Sequence, residues 1–266
     1  MKKVSWEFRI GLTLVVLLIL MCLVSFFYVP YGTNQEVGPK FSPPSAWFIF
    51  GTDNLGRDVF SRVMVGSQTV FLVGFVSVSI GLVFGVLLGS VAGFAGKWLD
   101  EIIMRLMDAM MSFPGVLFAL MYVAVFGFGI FNTTVALGIM AVPIFARITR
   151  SGFMQVKEMP YIDMARSVGV PRIRIMFVHI LPNIISPLIV AASMGFASAI
   201  LAEAGLSYLG LGVQPPDPSW GRMLKDSQNS FLSAPHYALA PGIMITLAVL
   251  GFNLLGDGIR DLKDVT

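Results

Sequence analysis

Charge is scarce in this sequence. Asp, Glu, Lys and Arg make up 12% of its 266 residues, where a soluble domain carries roughly a quarter. Hydrophobic residues make up 56% and the mean hydropathy is +0.82, so the solvent implied for most of the chain is lipid. Cysteine is nearly absent too. Cys22 stands alone inside the first apolar run, which rules out a disulfide within the chain and suits a small lipid-facing side chain. His179 and His236 are the only histidines and lie far apart, so there is no Cys/His cluster of the kind that holds zinc or haem. A phosphate-binding loop is also missing. The one Gly-Lys pair, Gly96-Lys97, has Val91 where the first glycine belongs and Trp98 where Ser or Thr belongs. The chain therefore has no nucleotide-hydrolysis motif of its own.

What it does have is long apolar runs. Six candidate spans follow: Gly11 to Val29, Val70 to Phe94, Ile102 to Phe126, Ile130 to Thr149, Ile184 to Ser207 and Ala238 to Leu255. The first run lacks a small-x-small cleavage site and reads as an uncleaved anchor. With the N-terminus inside, the cytoplasmic loops collect 13 of the 18 basic residues, from Lys2, Lys3 and Arg9 through to Arg260 and Lys263. The pI near 9.1 is then a topology signal, with both termini cytoplasmic, and points to no nucleic-acid partner. The spans hold little charge beyond Arg105, Asp108 and Glu203. A carrier coupled to an ion gradient needs ionisable groups near the bilayer centre. Gly81, Gly85, Gly89 and Gly93 form one stripe on the second span, a helix-packing device.

Three polar segments interrupt the spans. In Gly51 to Arg62, Thr52 or Asp53 is a natural N-cap for a short surface-lying helix, with Arg57, Asp58 and Arg62 able to pair on it. In Gly205 to Tyr237, Pro215, Pro216 and Pro218 forbid regular helix, and Trp220 and Tyr237 suit the interfacial belt. Glu203, just before it, is placed to pair with Arg222 or a partner subunit, or to line a pathway. Arg150 to Pro182 reads as two short helices, with Gly169 stopping the first and Pro171 opening the second. Arg172, Arg174 and His179 on the second suit either anionic lipid or a docked cytoplasmic protein.

This third segment carries a resemblance. Asp163-Met164-Ala165, then Gly169, then Ile180-Leu181-Pro182 resembles the EAA signature of permease subunits in binding-protein-dependent ABC importers, with Asp163 and Met164 replacing the usual Glu and Ala. Gly51-Thr52-Asp53, Gly56-Arg57-Asp58 and Ser61-Arg62, the run from Glu203 to Pro215, and Asn253 to Asp261 are similar to the C-type subunit of the dipeptide/oligopeptide/nickel branch.

The resemblance implies an all-α integral membrane protein, a six-helix type I importer transmembrane domain in a bacterial or archaeal cytoplasmic membrane. It divides the chain into an anchor and external segment (1–69) and a permease domain (70–266) containing a coupling loop (150–182). It implies four protein partners: a second, homologous permease subunit, two ATPase subunits that hold ATP and Mg, and an extracytoplasmic solute-binding protein. Tyr161, Asp163, Ala165, Arg166, Gly169, Pro171, Arg172 and Arg174 are the coupling candidates. Asp53, Arg57, Asp58, Glu203 and Trp220 are the external-side and pathway candidates. The cargo expected is a di- or oligopeptide, with nickel or a metal chelate as the alternative. An autonomous carrier and a membrane-embedded enzyme are the readings from other classes. The latter lacks paired catalytic groups at bilayer depth.

Overall fold

The computed structural model describes residues 5–264. Lys2 and Lys3, counted above among the inward basic residues, lie outside the described residues, as does the side chain of Lys263. The described chain is helical: α1 (Trp6–Ser25), α2 (Val59–Ala95), α3 (Lys97–Ser112), α4 (Gly115–Phe126), α5 (Ile130–Val156), α6 (Pro160–Ser167), α7 (Arg172–Leu209), α8 (Trp220–Ser227) and α9 (Pro235–Asp264). Five of these (α1, α2, α5, α7 and α9) are long and apolar enough to cross a bilayer. The bent pair α3–α4 makes up to six.

The tightest seam is between α2 and α5, and the glycine stripe lies in it. A Cβ at Gly81 would stand 2.5 Å from the Ala141 Cβ, one at Gly89 2.7 Å from the Thr149 Cβ, and one at Gly93 2.6 Å from the Phe153 Cβ. At Gly85 it would strike Phe145 and the backbone of Ala146. Side chains at these positions would force the helices apart, and the lost contact is what drives helix association in lipid. Across the bundle, α1 packs on α9, where a Cβ at Gly258 would stand 2.6 Å from Phe8. A cluster of Leu18, Val70, Ile200, Trp220 and Phe252 ties α1, α2, α7, α8 and α9 together.

Several expected boundaries are corrected. The second span is the tail of a 37-residue helix capped by Asp58, whose carboxylate accepts from the Ser61 N–H at 2.8 Å. There is no separate surface helix capped by Thr52 or Asp53, and the boundary drawn at 69/70 falls inside α2. The third span is not one rod: α3 and α4 meet at 88° around Phe113-Pro114. Pro114 brings no N–H to the Met110 carbonyl, so the α-helix cannot run through. The expected second short helix of the 150–182 segment is instead the first turns of α7, which runs 38 residues without a break. Pro171 is its N-cap rather than its first helical residue. The turn at Ile175–Ile180 widens to π-helix just before Pro182, which the altered hydrogen-bond register accommodates.

Candidate functional site: an exposed knob and a sealed polar cluster

At one end of the bundle α6 stands out from the helices that carry it. Met159 precedes it and Pro160 opens its first turn, where the missing N–H is free of cost. Gly169 closes it with φ +78°, a conformation that disfavours any residue with a Cβ. The Gly169 N–H donates to the Arg166 carbonyl and the Val170 N–H to the Ala165 carbonyl, both at 3.0 Å, which completes a Schellman stop. Nothing lies within 4 Å of a Cβ placed at Gly169, so backbone conformation alone accounts for the glycine there.

The helix has two faces. Ile162 and Ala165 are buried in a cluster with Phe153, Val156, Ile175 and Ile180, which fixes α6 to α5 and α7. Met164 (70% exposed), Val168 (74%) and Tyr161 (44%) form the other face, with Ile173 (73%) beside them at the start of α7. Asp163 and Arg166 pair across one turn at 3.2 Å in solvent, and Arg172 and Arg174 are exposed on α7. Asn183 Nδ2 donates to the Tyr161 hydroxyl at 3.2 Å and to the His179 carbonyl at 2.7 Å, linking the knob to the α7 stem. Lys157 caps the Gly93 carbonyl at 2.9 Å, and Arg150 forks onto Asp100 of α3, tying the surrounding helix ends together. Of the coupling candidates, Ala165 faces inward as an anchor and Gly169 shapes the backbone. The outward surface belongs mostly to Met164, Val168 and Ile173. Met164 was not among the coupling candidates, although its i, i+4 spacing with Val168 is visible in the sequence.

At the opposite end the polarity is reversed. Asp53 is fully buried, and its Oδ2 receives Arg57 Nε at 2.6 Å with Arg62 Nε at 3.7 Å. Its Oδ1 accepts the backbone N–H groups of Leu55 and Arg57. Arg62, 2% exposed, also donates to the Thr33 carbonyl at 2.8 Å and so holds the segment before α2. This overturns the surface-lying helix expected here: the charges turn inward, Arg57 and Arg62 onto Asp53 and Asp58 onto Ser61. Trp220 and Tyr237 are fully buried rather than interfacial, and the Trp220 indole N–H donates to the Val63 carbonyl at 2.9 Å. Glu203 does not pair with Arg222, which bonds Asp226 at 3.0 Å. It accepts from Ser207 Oγ at 2.6 Å, and Ser207 in turn accepts the Val213 N–H at 3.1 Å, which fixes the loop after α7. Asp53, Arg57, Asp58, Glu203 and Trp220, the external-side candidates, are thus all buried at the end opposite α6.

The chain is similar to known proteins in sequence and in fold. The profile of the binding-protein-dependent transport system inner membrane component matches residues 85–264. The chain belongs to that family. This permease is 43% identical over 260 residues to the dipeptide transport system permease protein DppC of Alkalihalophilus pseudofirmus, covering 96% of this chain and 84% of that one. It is 41% identical over 252 residues to the glutathione transport system permease protein GsiD of Pectobacterium atrosepticum, covering 94% and 84%. To the di/tripeptide transport system permease protein of Pseudomonas aeruginosa it is 40% identical, covering 96% and 86%. Among solved structures, a chain of the MetNI methionine ABC transporter in inward-facing conformations superposes with a TM-score of 0.56 at 21% identity, covering 77% of this permease and 94% of that chain. The fold is therefore that of a type I importer permease. The chain is a multi-pass inner-membrane transport component rather than an enzyme.

Proposed function

We propose that this permease forms half of the translocation pathway of an ATP-driven importer of short peptides, and that α6 is the element through which an ATPase subunit drives it. The observation that carries this reading is the knob itself. Tyr161, Met164 and Val168 stand in solvent on a helix whose inner face is fastened to α5 and α7, and Ile173 is exposed at the start of α7. Exposed apolar side chains on a rigid support suit insertion into a partner's groove, and a push on α6 passes through Ile162 and Ala165 into two spans.

In this assembly ATP and Mg sit in two separate ATPase subunits, a second, homologous permease completes the pathway, and a solute-binding protein delivers cargo at the end opposite α6. The α6 end is then cytoplasmic. Gly258 near the end of α9 lies against Phe8 at the start of α1, which suits both helix ends facing one side of the membrane. Peptide cargo rests on the relatives, whose names specify dipeptide, di/tripeptide and glutathione transport.

The test is purification of this chain, tagged at its C-terminus and co-produced with its neighbouring transport genes, followed by an ATPase assay in lipid with and without binding protein and peptide. Co-elution of a second permease and ATPases, with peptide-stimulated turnover, supports the reading. A chain that elutes alone and moves peptide without ATP would overturn it.

A further inference from the structure

The two sides of α7 are built from different residues. Toward α5 it presents Ala191, Gly195, Ser198, Ala199 and Ala202, which line a groove there. Toward α2 it presents Leu181, Ile185, Leu188 and Ile189, which face Val83 and Leu87 across a second groove. Small residues mark where helices meet helices in a membrane, as they do along the α2–α5 seam. The α2–α7 groove has one small residue, Ala192, among its nine lining residues, and the other eight are Leu, Ile or Val. Val83, Leu87, Ile185 and Ile189 are all exposed. A trough of branched aliphatic side chains keeps a neighbouring backbone at a distance and offers it no polar side chain. It suits a flexible hydrocarbon chain.

The length of the groove fits the same occupant. From Leu181 to Ala192 it follows α7 for 11 residues, about 17 Å at the helical rise. That is about half of a hydrocarbon core of about 30 Å, the depth of one leaflet.

A cation stands below the α6-side end of this groove, and the π-turn at Ile175–Ile180 puts it there. The buried stripe of α7 runs Ile175, Ile180, Ile184 and Leu188, with one five-residue step before the four-residue steps. The same step on the neighbouring stripe leads from Ile189, Ile185 and Leu181 to Met176 and then Arg172. In a regular α-helix that stripe would have ended on Phe177 and Ile173. Arg172 is exposed, and no carboxylate pairs with it among the described residues. It lies about 13 Å along the helix from Leu181, and its long side chain can turn back toward the membrane surface.

We propose that the α2–α7 groove is a binding site for an anionic phospholipid of the leaflet on the α6 side. One acyl chain lies between α2 and α7, and Arg172 holds the phosphate. Guanidinium and phosphate form forked, charge-assisted hydrogen bonds, which is the reason for an arginine at this point. The bound lipid steadies the stem of the knob, because Asn183 of the same helix bonds the Tyr161 hydroxyl of α6. The site is independent of which cargo the permease passes.

The experiment uses the full complex in proteoliposomes, with Ile185→Trp as reporter and the complex without it as fluorescence baseline. Phosphatidylcholine vesicles carry the same minor share of either phosphatidylglycerol or phosphatidylcholine brominated on the acyl chains. The expected result is several-fold stronger quenching of the added tryptophan by the brominated phosphatidylglycerol. Adding Arg172→Gln should remove the difference, and Leu17→Trp on the exposed side of α1 should never show it. Ile189→Trp repeats the reading if the first reporter disturbs the complex. Equal quenching by the two lipids at the groove means bulk lipid only and overturns the site. Quenching by neither means that the second permease covers the groove, and overturns it too. A preference that survives Arg172→Gln overturns the phosphate contact. So does loss of the ATPase subunits from that variant, which would assign Arg172 to a protein partner.

Discussion

The two ends of this permease invert the usual surface rule in opposite directions. At the α6 end, apolar Met164, Val168 and Ile173 stand exposed, while at the other end Asp53, Arg57 and Arg62 are buried. The buried charges make an inward-facing unit: Arg57 and Arg62 converge on Asp53, and Arg62 also holds the Thr33 carbonyl, which fastens the long segment between α1 and α2 onto the bundle. The exposed apolar knob is an open unit: the described residues leave Met164, Val168 and Ile173 uncovered. Loss of one residue should therefore damage folding at the sealed end and coupling at the open end.

The largest effect is expected for Asp53→Ala. It leaves two buried guanidinium groups without their carboxylate, and breaking such a network costs about 3–5 kcal/mol. Thermal unfolding in detergent should show a large drop in Tm or no folded protein. A Tm near that of the parent would mean that the cluster is not sealed. Gly85→Leu should act comparably by wedging α2 from α5, read as loss of monodisperse protein on gel filtration. An intact elution profile would count against a tight seam.

Gly169→Asp comes next. A residue with a Cβ at φ +78° costs about 1–2 kcal/mol, but the strain stays in an exposed turn. Tm should fall little while binding-protein-stimulated ATPase activity and uptake fall severely. Equal losses of Tm and coupling would blur the contrast between the two ends. Val168→Asp should leave Tm unchanged and weaken retention of the ATPase subunits during purification, because it puts charge on a face meant for an apolar groove. The smallest effect is expected for Arg166→Ala. Its pair with Asp163 is solvent-exposed and spans one turn, and such pairs contribute little. Tm should not move, and any loss of uptake would then report a contact with the ATPase rather than a fold defect.

Much of this contrast was hidden in the amino-acid pattern. Polarity identifies Gly51 to Arg62 as a loop and leaves open whether its charges face water or one another. Spacing could not tell these apart, because Arg57 and Arg62 converge on Asp53 through a turn rather than along a helix face. Trp220 misled for a related reason: an amphipathic ring suits an interface, yet its N–H found the Val63 carbonyl, 157 residues away, and the ring was buried. The glycine stripe was legible because a four-residue repeat has one geometric meaning on a helix. The α6 stop was legible because glycine followed by Val-Pro permits few alternatives. The break at Pro114 carried a signal, a proline within an apolar run, that hydropathy averaging conceals.

By itself the sequence determined the solvent and the class of machine. Scarce charge and long apolar runs point to a bilayer, the motifs between Gly51 and Asp261 point to the permease family, and Gly169 with Pro171 marks where a short helix between two spans stops. These follow from local chemistry and helical period. Tertiary structure alone decided which polar groups face inward, where the third span breaks, and which faces of α5 and α7 enclose a groove. Those outcomes depend on partners far apart in the chain, and the sequence does not state which distant residue will meet which.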